Sequence, residues 1–480
     1  MAGENSIISK LILEGKLARS EKWLLGSLGL LLVAASLSAW KIGDLRKDTL
    51  AFEWVFFSAF ILYGLASFWA LGKEQVGRRL IIVIFTLAVA MQAILVFTHP
   101  TLSDDMFRYV WDGRVQAHGI SPYRYPPDAP QLVFLRDAVI YPSINRDSAV
   151  TVYPPAAEAA YVLLWRIWPD NIHWFQAVMA AGGLLGGILL VGLLHDLGRT
   201  ASRVLIYLWS PLLVFETAHA GHIDGLMLPL LVGAWWARVR ERDGLTGFLL
   251  GIATAMKFYP ALILPFLWRP RHPRGRWTMP LAFGSTIGLF YLPYWLTSGA
   301  SVLGYLPDYF REKFNIGPMV AALIQVLGAV RISMISGLTL LELGALVVAA
   351  LWCVLHPALD AETALRRCIW PIGIVTLLSQ NLFSWYMLWL LPLVAIFMQP
   401  SSIGVGWLRL PRVDAWTGWW LFCGLIGLSY TFFIKWTPVS AAIQAQFFPL
   451  YGFLLISLII YLWKKFASPF NRTSIQPRLN

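Results

Sequence analysis

Charge is scarce in this chain: of 480 residues only 13% are Asp, Glu, Lys or Arg, against 58% that are hydrophobic. A soluble globular domain carries roughly 25% charged residues, so a water-soluble enzyme is excluded. Cysteine is scarcer still. Cys353, Cys368 and Cys423 all fall within apolar runs, odd in number and without metal-ligand spacing, which excludes both a disulfide framework and a zinc site. The chain contains no GxxxxGK[ST] nucleotide loop, no low-complexity segment, no obvious repeat and no soluble domain. No cleavable signal peptide is expected either, because the first residues carry Glu4 and Glu14 and lack a short apolar core before a small-residue cleavage site.

What is present is apolar sequence, with 24 Trp. Runs of about 17–25 residues, enough to cross a bilayer as helix, begin near Lys22, Leu50, Leu80, Ile172, Arg203, His222 and Leu245. Others begin near Met279, Pro318, Ser336, Arg367, Trp385, Ala415 and Ala442. The chain is therefore an all-α polytopic integral membrane protein, with about 12–14 crossings expected. Residues 7–22 mix Ile and Leu with Lys10, Lys16, Arg19 and Lys22, the pattern of a basic helix lying on the cytoplasmic membrane face.

A net charge of +12 raises the question of nucleic acid, but the basic residues cluster in short loops between apolar runs. That is the positive-inside pattern, so membrane lipids and not nucleic acid are the expected surroundings. Lys73/Arg78/Arg79, the stretch from His195 to Arg203, Arg238/Arg240/Arg242, Arg269 to Arg276, Arg409/Arg412 and Lys464/Lys465 are all placed inside. With the N-terminus inside, three crossings put Asp104 outside, and the stretch from His99 to about Asn171 becomes the main extracytoplasmic loop. Two regions resist the count. Leu245 to Trp268 lies between two basic loops and is interrupted by Lys257, Pro260 and Pro265, which predicts a broken or re-entrant helix. Pro318 to His356 holds about two spans where parity asks for an odd number.

The densest chemistry follows the third apolar run. In Ser103-Asp104-Asp105-Met106-Phe107-Arg108-Tyr109-Val110-Trp111-Asp112-Gly113-Arg114, Ser103 is a suitable N-cap and Asp104 and Asp105 fall in a first helical turn. Gly119 is the predicted C-terminal stop. Phe107, Val110, Trp111 and Val115 recur at helical spacing, while Asp104, Arg108 and Asp112, four apart, share another face. The pattern predicts an amphipathic helix at the membrane surface, projecting carboxylates and guanidinium groups together. The bland alternative is an ion-pair ladder with a helix cap.

The Pro- and Tyr-rich stretch from Ile120 to Pro127, with Tyr153-Pro154-Pro155 beyond it, predicts an ordered loop. Further clusters share the outer side by the same count: His219-Ala220-Gly221-His222-Ile223-Asp224-Gly225, and Gln380 to Tyr386. Lys257 lies deep in an apolar run, where a lysine costs roughly 2.5–3.5 kcal/mol, so an anionic partner is expected. A protein carboxylate such as Asp224 would serve, as would a substrate phosphate.

These residues carry a resemblance. His99-Pro100, Ser103-Asp104-Asp105, Arg108-Tyr109, Trp111-Asp112-Gly113-Arg114, Gly119, Ser121-Pro122-Tyr123, Gly221 to Gly225 and Lys257-Phe258-Tyr259-Pro260 resemble the motifs of GT-C membrane glycosyltransferases. The chain is most similar to the bacterial polyprenyl-phosphate mannosyltransferase-like group, glycosyltransferase family 87. It is more distantly similar to the eukaryotic enzyme that adds the first mannose to GPI precursors. The distinctive motifs cover about Phe97 to Trp268.

The resemblance implies a catalytic membrane module over residues 1–300, with the outer loop 99–171 carrying the motif, and a C-terminal transmembrane module over 301–480. It implies inverting transfer of a hexose, mannose foremost, from a polyprenyl-phosphate-sugar donor to a glycolipid or glycan acceptor on the extracytoplasmic face of the plasma membrane. An aspartate of the first outer loop would act as base. By position Asp104 matches that aspartate, with Asp105 its rival. Donor phosphate or sugar would be held by Arg108, Asp112, Arg114, Tyr153, His222, Asp224 and Lys257. The GPI enzyme's Asp-x-Asp pattern is not kept, since Met106 stands at the second acid; no metal ligands are assigned, and a divalent metal is allowed but not required. Two other classes share some of these features: a multispan lipid or solute transporter, and an inactive glycolipid-binding homologue.

Overall fold

The computed structural model describes residues 19–273, 275–309, 332–379, 382–434 and 439–467. The predicted basic surface helix at 7–22, apart from its last residues, lies outside the described residues. So do Gln380, Asn381, Arg274 and much of the Pro318 region. Among the described residues the longer helices, in chain order, begin with α1 Arg19–Ile42, α2 Thr49–Leu71, α3 Arg78–Val96, α4 Asp105–Ala117, α5 Pro155–Ile167, α6 Ile172–Asp196 and α7 Asp224–Val239. They continue as α8 Asp243–Met256, α9 Gly275–Ser298, α10 Ile332–Leu355, α11 Ile369–Leu378, α12 Leu390–Phe397, α13 Ala415–Leu425 and α14 Val439–Ala467.

Among the described residues six apolar helical stretches are long enough to cross a bilayer: those of α1, α2, α3 and α6, with Gly337–Leu355 of α10 and Ala445–Trp463 of α14. Among the described residues, most of the other apolar runs form shorter or interrupted helices, while α9 is a continuous 24-residue helix with Pro280 and Pro293 inside it. Residues 204–219 break at Pro211 and again at a π turn, Phe215–His219. As the interrupting residues predicted, α8 stops at Lys257, whose backbone is extended (φ −155°, ψ 130°), and a 3₁₀ turn, Tyr259–Ile263, follows. Interrupted helices cost backbone hydrogen bonds and persist at membrane depth only where protein or a polar cavity replaces them.

Local chemistry accounts for several boundaries. The Asn171 side chain caps α6 by accepting from the Trp174 N–H (2.9 Å), Pro155 opens α5 where its missing N–H costs nothing, and Asp414 caps α13 through Trp416 and Thr417. Close helix contact rests on small residues. Gly225 at the start of α7 lies against the backbone of Met179 in α6, where any side chain would collide with the carbonyl.

The bundle has two chemically distinct ends. At one, Lys73 pairs with Glu21, Arg199 with Glu362 and Arg240 with Asp196, and Arg203 donates to the Met398 carbonyl (2.6 Å). An antiparallel hairpin, β1 Pro400–Val405 and β2 Leu408–Pro411, packs there against Gly72; hydropathy alone did not indicate it. The other end carries residues 97–171. There α4 and α5 pack together over a second, smaller core of Met106, Phe107, Val110, Trp111, Tyr161 and Phe175.

Candidate active site

The helix α4 begins one residue later than the sequence suggests. Asp104 is the cap residue, and the Ser103 hydroxyl accepts the Asp105 N–H at 3.3 Å. That offset sends the two adjacent carboxylates in different directions, because successive residues leave a helix about 100° apart. Asp104, with 42% of its side chain exposed, pairs with Arg46 of the α1–α2 loop at 2.7 Å. Asp105, 15% exposed, accepts from the Asn145 amide at 2.7 Å and faces the Nε2 of His222 at 4.0 Å.

The amphipathic surface helix expected at 105–117 is instead buried on every side from Met106 to Val115. Its polar face is covered by the outer loop. Arg108 holds Asp112 through both carboxylate oxygens (2.9 and 3.0 Å) and donates onward to the carbonyls of Arg146 and Ala149. Arg114 is spent similarly, on Asp137 (2.6 Å), Asp170 (2.9 Å) and the Leu135 carbonyl (2.8 Å). Burial would raise Asp137, but Arg114 and the N–H groups of Tyr141 and Ile140 outweigh it and hold that carboxyl below the usual range. Arg108, Asp112 and Arg114 therefore hold the loop to the helix, and none of them carries a charge free for a ligand.

The fully buried Glu158 of α5 lies beside Asp112, a placement that no local pattern in the sequence signals. Thr151 donates to it at 2.6 Å and the Gln116 amide at 2.7 Å. Burial first, then the Asp112 charge, pushes Glu158 well above the usual carboxylate range, so it is the member of the pair that keeps a proton. A carboxyl raised on folding stabilises below its unfolded range and loses that contribution as pH rises through its folded value. Glu158→Gln is accordingly expected to leave thermal stability unchanged near pH 5 and to increase it toward pH 9. Unfolding midpoints of purified protein across that range check it; equal midpoints at alkaline pH would refute it.

Tyr109 and Tyr153 close the site beneath Asp105. Their rings meet edge to face at 5.0 Å, and Tyr161 stacks on Tyr109 at 4.6 Å. Burial and then the Asp105 charge push both phenols well above their usual value, which keeps them neutral donors. The Ile223 N–H reaches the Tyr109 hydroxyl at 3.5 Å, tying α4 to the turn at 219–224.

That turn needs its glycine. Gly221 has φ +67°, and a side chain there would strike Met106 and Gln176. The two histidines divide: His219 bonds Thr98 (2.7 Å) and accepts the Thr101 N–H (3.3 Å), a structural latch onto the end of α3. His222, with no exposed surface, faces Asp105 on one side and stacks on Trp385 at 3.9 Å. Its Nδ1 lies 3.0 Å from Glu216, a buried carboxylate of the π turn that sequence reasoning passed over.

Lys257 pairs with Asp224, the protein carboxylate named as its alternative partner, and Asp224 also accepts from Tyr259 (3.1 Å) and Trp389 (3.2 Å). The Lys257 ammonium sits 5.0 Å above the Tyr386 ring. The structure thus brings together Asp105, Tyr153, His222, Trp385, Tyr386, Lys257 and Asp224, drawn from five separate segments of the chain. It leaves Arg108, Asp112 and Arg114 as braces. Among the described residues no group of three or more His, Cys, Asp or Glu is arranged to hold a metal ion.

Residues 24–269 match the family model described as alpha-(1->6)-mannopyranosyltransferase, N-terminal domain. The chain belongs to this mannosyltransferase family. The match encloses α4, the 219–224 turn and Lys257, and leaves Trp385, Tyr386 and Trp389 outside it. Two curated proteins are similar. One is the polyprenol-phosphate-mannose-dependent alpha-(1-2)-phosphatidylinositol pentamannoside mannosyltransferase of Mycobacterium tuberculosis, 25% identical over 278 residues, 54% of this chain and 63% of that protein. The other is GPI mannosyltransferase 1 of Aspergillus fumigatus, 31% identical over 155 residues, 30% of this chain and 36% of that protein. The chain thus spans less than two thirds of each relative's length.

Proposed function

We propose that this protein transfers a hexose, mannose foremost, from a polyprenyl phosphate to a lipid-linked or glycan acceptor, inverting the anomeric centre. The observation that carries the reading is the partly exposed Asp105 at the start of α4, set against His222, on which Trp385 of the Trp385–Tyr386 pair stacks. The family membership supports the sugar, and the relative dependent on polyprenol-phosphate-mannose supports the donor class. The positive-inside rule supports a basic end facing the cytoplasm and an Asp105 end on the extracytoplasmic side, with the plasma membrane as the proposed location. The catalytic module is residues 1–300, completed by aromatic residues of the C-terminal part.

Inverting displacement needs a base behind the acceptor hydroxyl and cations near the leaving phosphate. Asp105 is the base: it is partly buried, held by one amide, and open on its His222 side. Asp104, neutralised by Arg46, anchors the first outer loop. Lys257 lies on the far side of Tyr386 and interacts with the donor phosphate while remaining tethered to Asp224. No step requires a metal. The test is release of polyprenyl phosphate from a polyprenyl-phosphate-hexose in membranes supplying native acceptors. Wild-type release lost in Asp105→Asn supports the reading; no release with any hexose donor would return the protein to the binding or transport classes.

A further inference from the structure

His222 and Glu216 are buried ionisable side chains beside Asp105 with no part in the displacement described above. Glu216 is 1% exposed and lies in the π turn, an irregularity found often at functional sites. A carboxylate in that position is costly unless it is matched. Tyr430 donates to its Oε1 at 2.8 Å and in turn accepts from Ser384 at 3.0 Å. Its Oε2 lies 3.0 Å from His222 Nδ1. The other ring nitrogen, Nε2, is directed at Asp105 Oδ2 at 4.0 Å. The imidazole thus stands between two carboxylates, one fully buried and one partly exposed, and the Trp385 ring packed on its face holds its plane.

We propose that Glu216 positions His222 to take up the proton that Asp105 removes from the acceptor hydroxyl. The inference rests on the reading of Asp105 as base. As the acceptor oxygen bonds to the sugar carbon and the carbon–phosphate oxygen bond breaks, the hydroxyl proton passes to Asp105 Oδ2. It then moves to His222 Nε2, restoring the Asp105 carboxylate. The bond electrons leave with the polyprenyl phosphate, which departs as a monoester, and the proton on His222 finally passes to that phosphate or to water. Glu216 Oε2, at 3.0 Å from Nδ1, balances the imidazolium that forms when Nε2 takes the proton, and its charge favours a proton on Nδ1 in the resting state. The 4.0 Å gap closes to hydrogen-bond distance with a small rotation of Asp105. Charged and titratable groups facing His222 are Asp105 from α4, Glu216 and His219 from its own segment, and Tyr430 through Glu216. Trp385, packed on its ring, carries no titratable group.

The test is the pH dependence of kcat for polyprenyl-phosphate release by purified full-length protein. The acidic limb reports the group that must be unprotonated for turnover. Glu216→Gln is expected to lower kcat at least about tenfold with donor KM unchanged, and to move that limb about one pH unit or more toward acid. Tyr430→Phe keeps the carboxylate but removes its hydrogen bond, strengthening its pull on the imidazole, and is expected to move the limb the opposite way. Opposite shifts support the relay; a limb unmoved in Tyr430→Phe overturns it, even if Glu216→Gln fails to fold. Should Asp105→Asn abolish release while both variants keep the wild-type profile, the relay fails and the glycosyltransferase reading stands. Should wild type release nothing, that reading fails first.

Discussion

Asp105→Asn is expected to lower polyprenyl-phosphate release by about 10²- to 10⁴-fold, the range lost with a positioned general base, with donor KM little changed. The amide preserves the side chain's size and its partnership with Asn145, so folding is expected to survive. Asp104→Asn tests the neighbouring carboxylate. It breaks a half-exposed pair with Arg46, an interaction of small value, and is expected to cost less than about tenfold. Arg46→Ala should resemble it. Equal losses at Asp104 and Asp105 would mean that the pair acts as a unit, and a larger loss at Asp104 would transfer the base to it. The assay needs only the existing full-length protein in membranes, with thermal unfolding confirming that each variant folds.

Lys257→Met is expected to destabilise the protein by about 3–5 kcal/mol, because it strands Asp224, a carboxylate with no exposed surface, without its counter-charge. Tyr259 and Trp389 would still donate to Asp224, but neutral hydrogen bonds do not balance a buried charge. Adding Asp224→Asn should recover most of the loss, since removing both charges avoids the stranded ion. Thermal unfolding followed by tryptophan fluorescence, in wild type, both single variants and the double variant, measures the coupling. The same proteins separate structure from substrate binding. A stable Lys257→Met protein with a donor KM raised about tenfold or more would assign the ammonium to the phosphate more than to the fold.

These two residues mark different degrees of legibility in the sequence. Lys257 was conspicuous because charge in an apolar run demands an anion, and its helix was expected to break because prolines follow within a few residues. Asp224 was named as a partner from the same reasoning. Asp104 and Asp105 could not be ranked by such means. They are adjacent, identical in chemistry and both near a helix start, so their difference lies in where the first helical residue falls.

The amino-acid sequence alone determined the membrane class, the helical composition, the interruption at Lys257, the ordered outer loop and the residue types of the site. Each of these follows from local composition or periodicity, which reports how a segment meets lipid and its own neighbours. Tertiary structure decided which charges are available. The amphipathic pattern of α4 suggested a polar face open to water, yet the loop from Tyr123 to Thr151 covers it and converts Arg108, Asp112 and Arg114 into braces. Arg46 meets Asp104 across 58 positions, and Trp389 meets Asp224 across 165. Glu216 and Glu158 look like ordinary helical glutamates in the sequence and acquire meaning only through Tyr430, His222, Thr151 and Asp112. Such pairings depend on how helices cross and where broken helices resume, and no periodicity in one segment encodes the position of another.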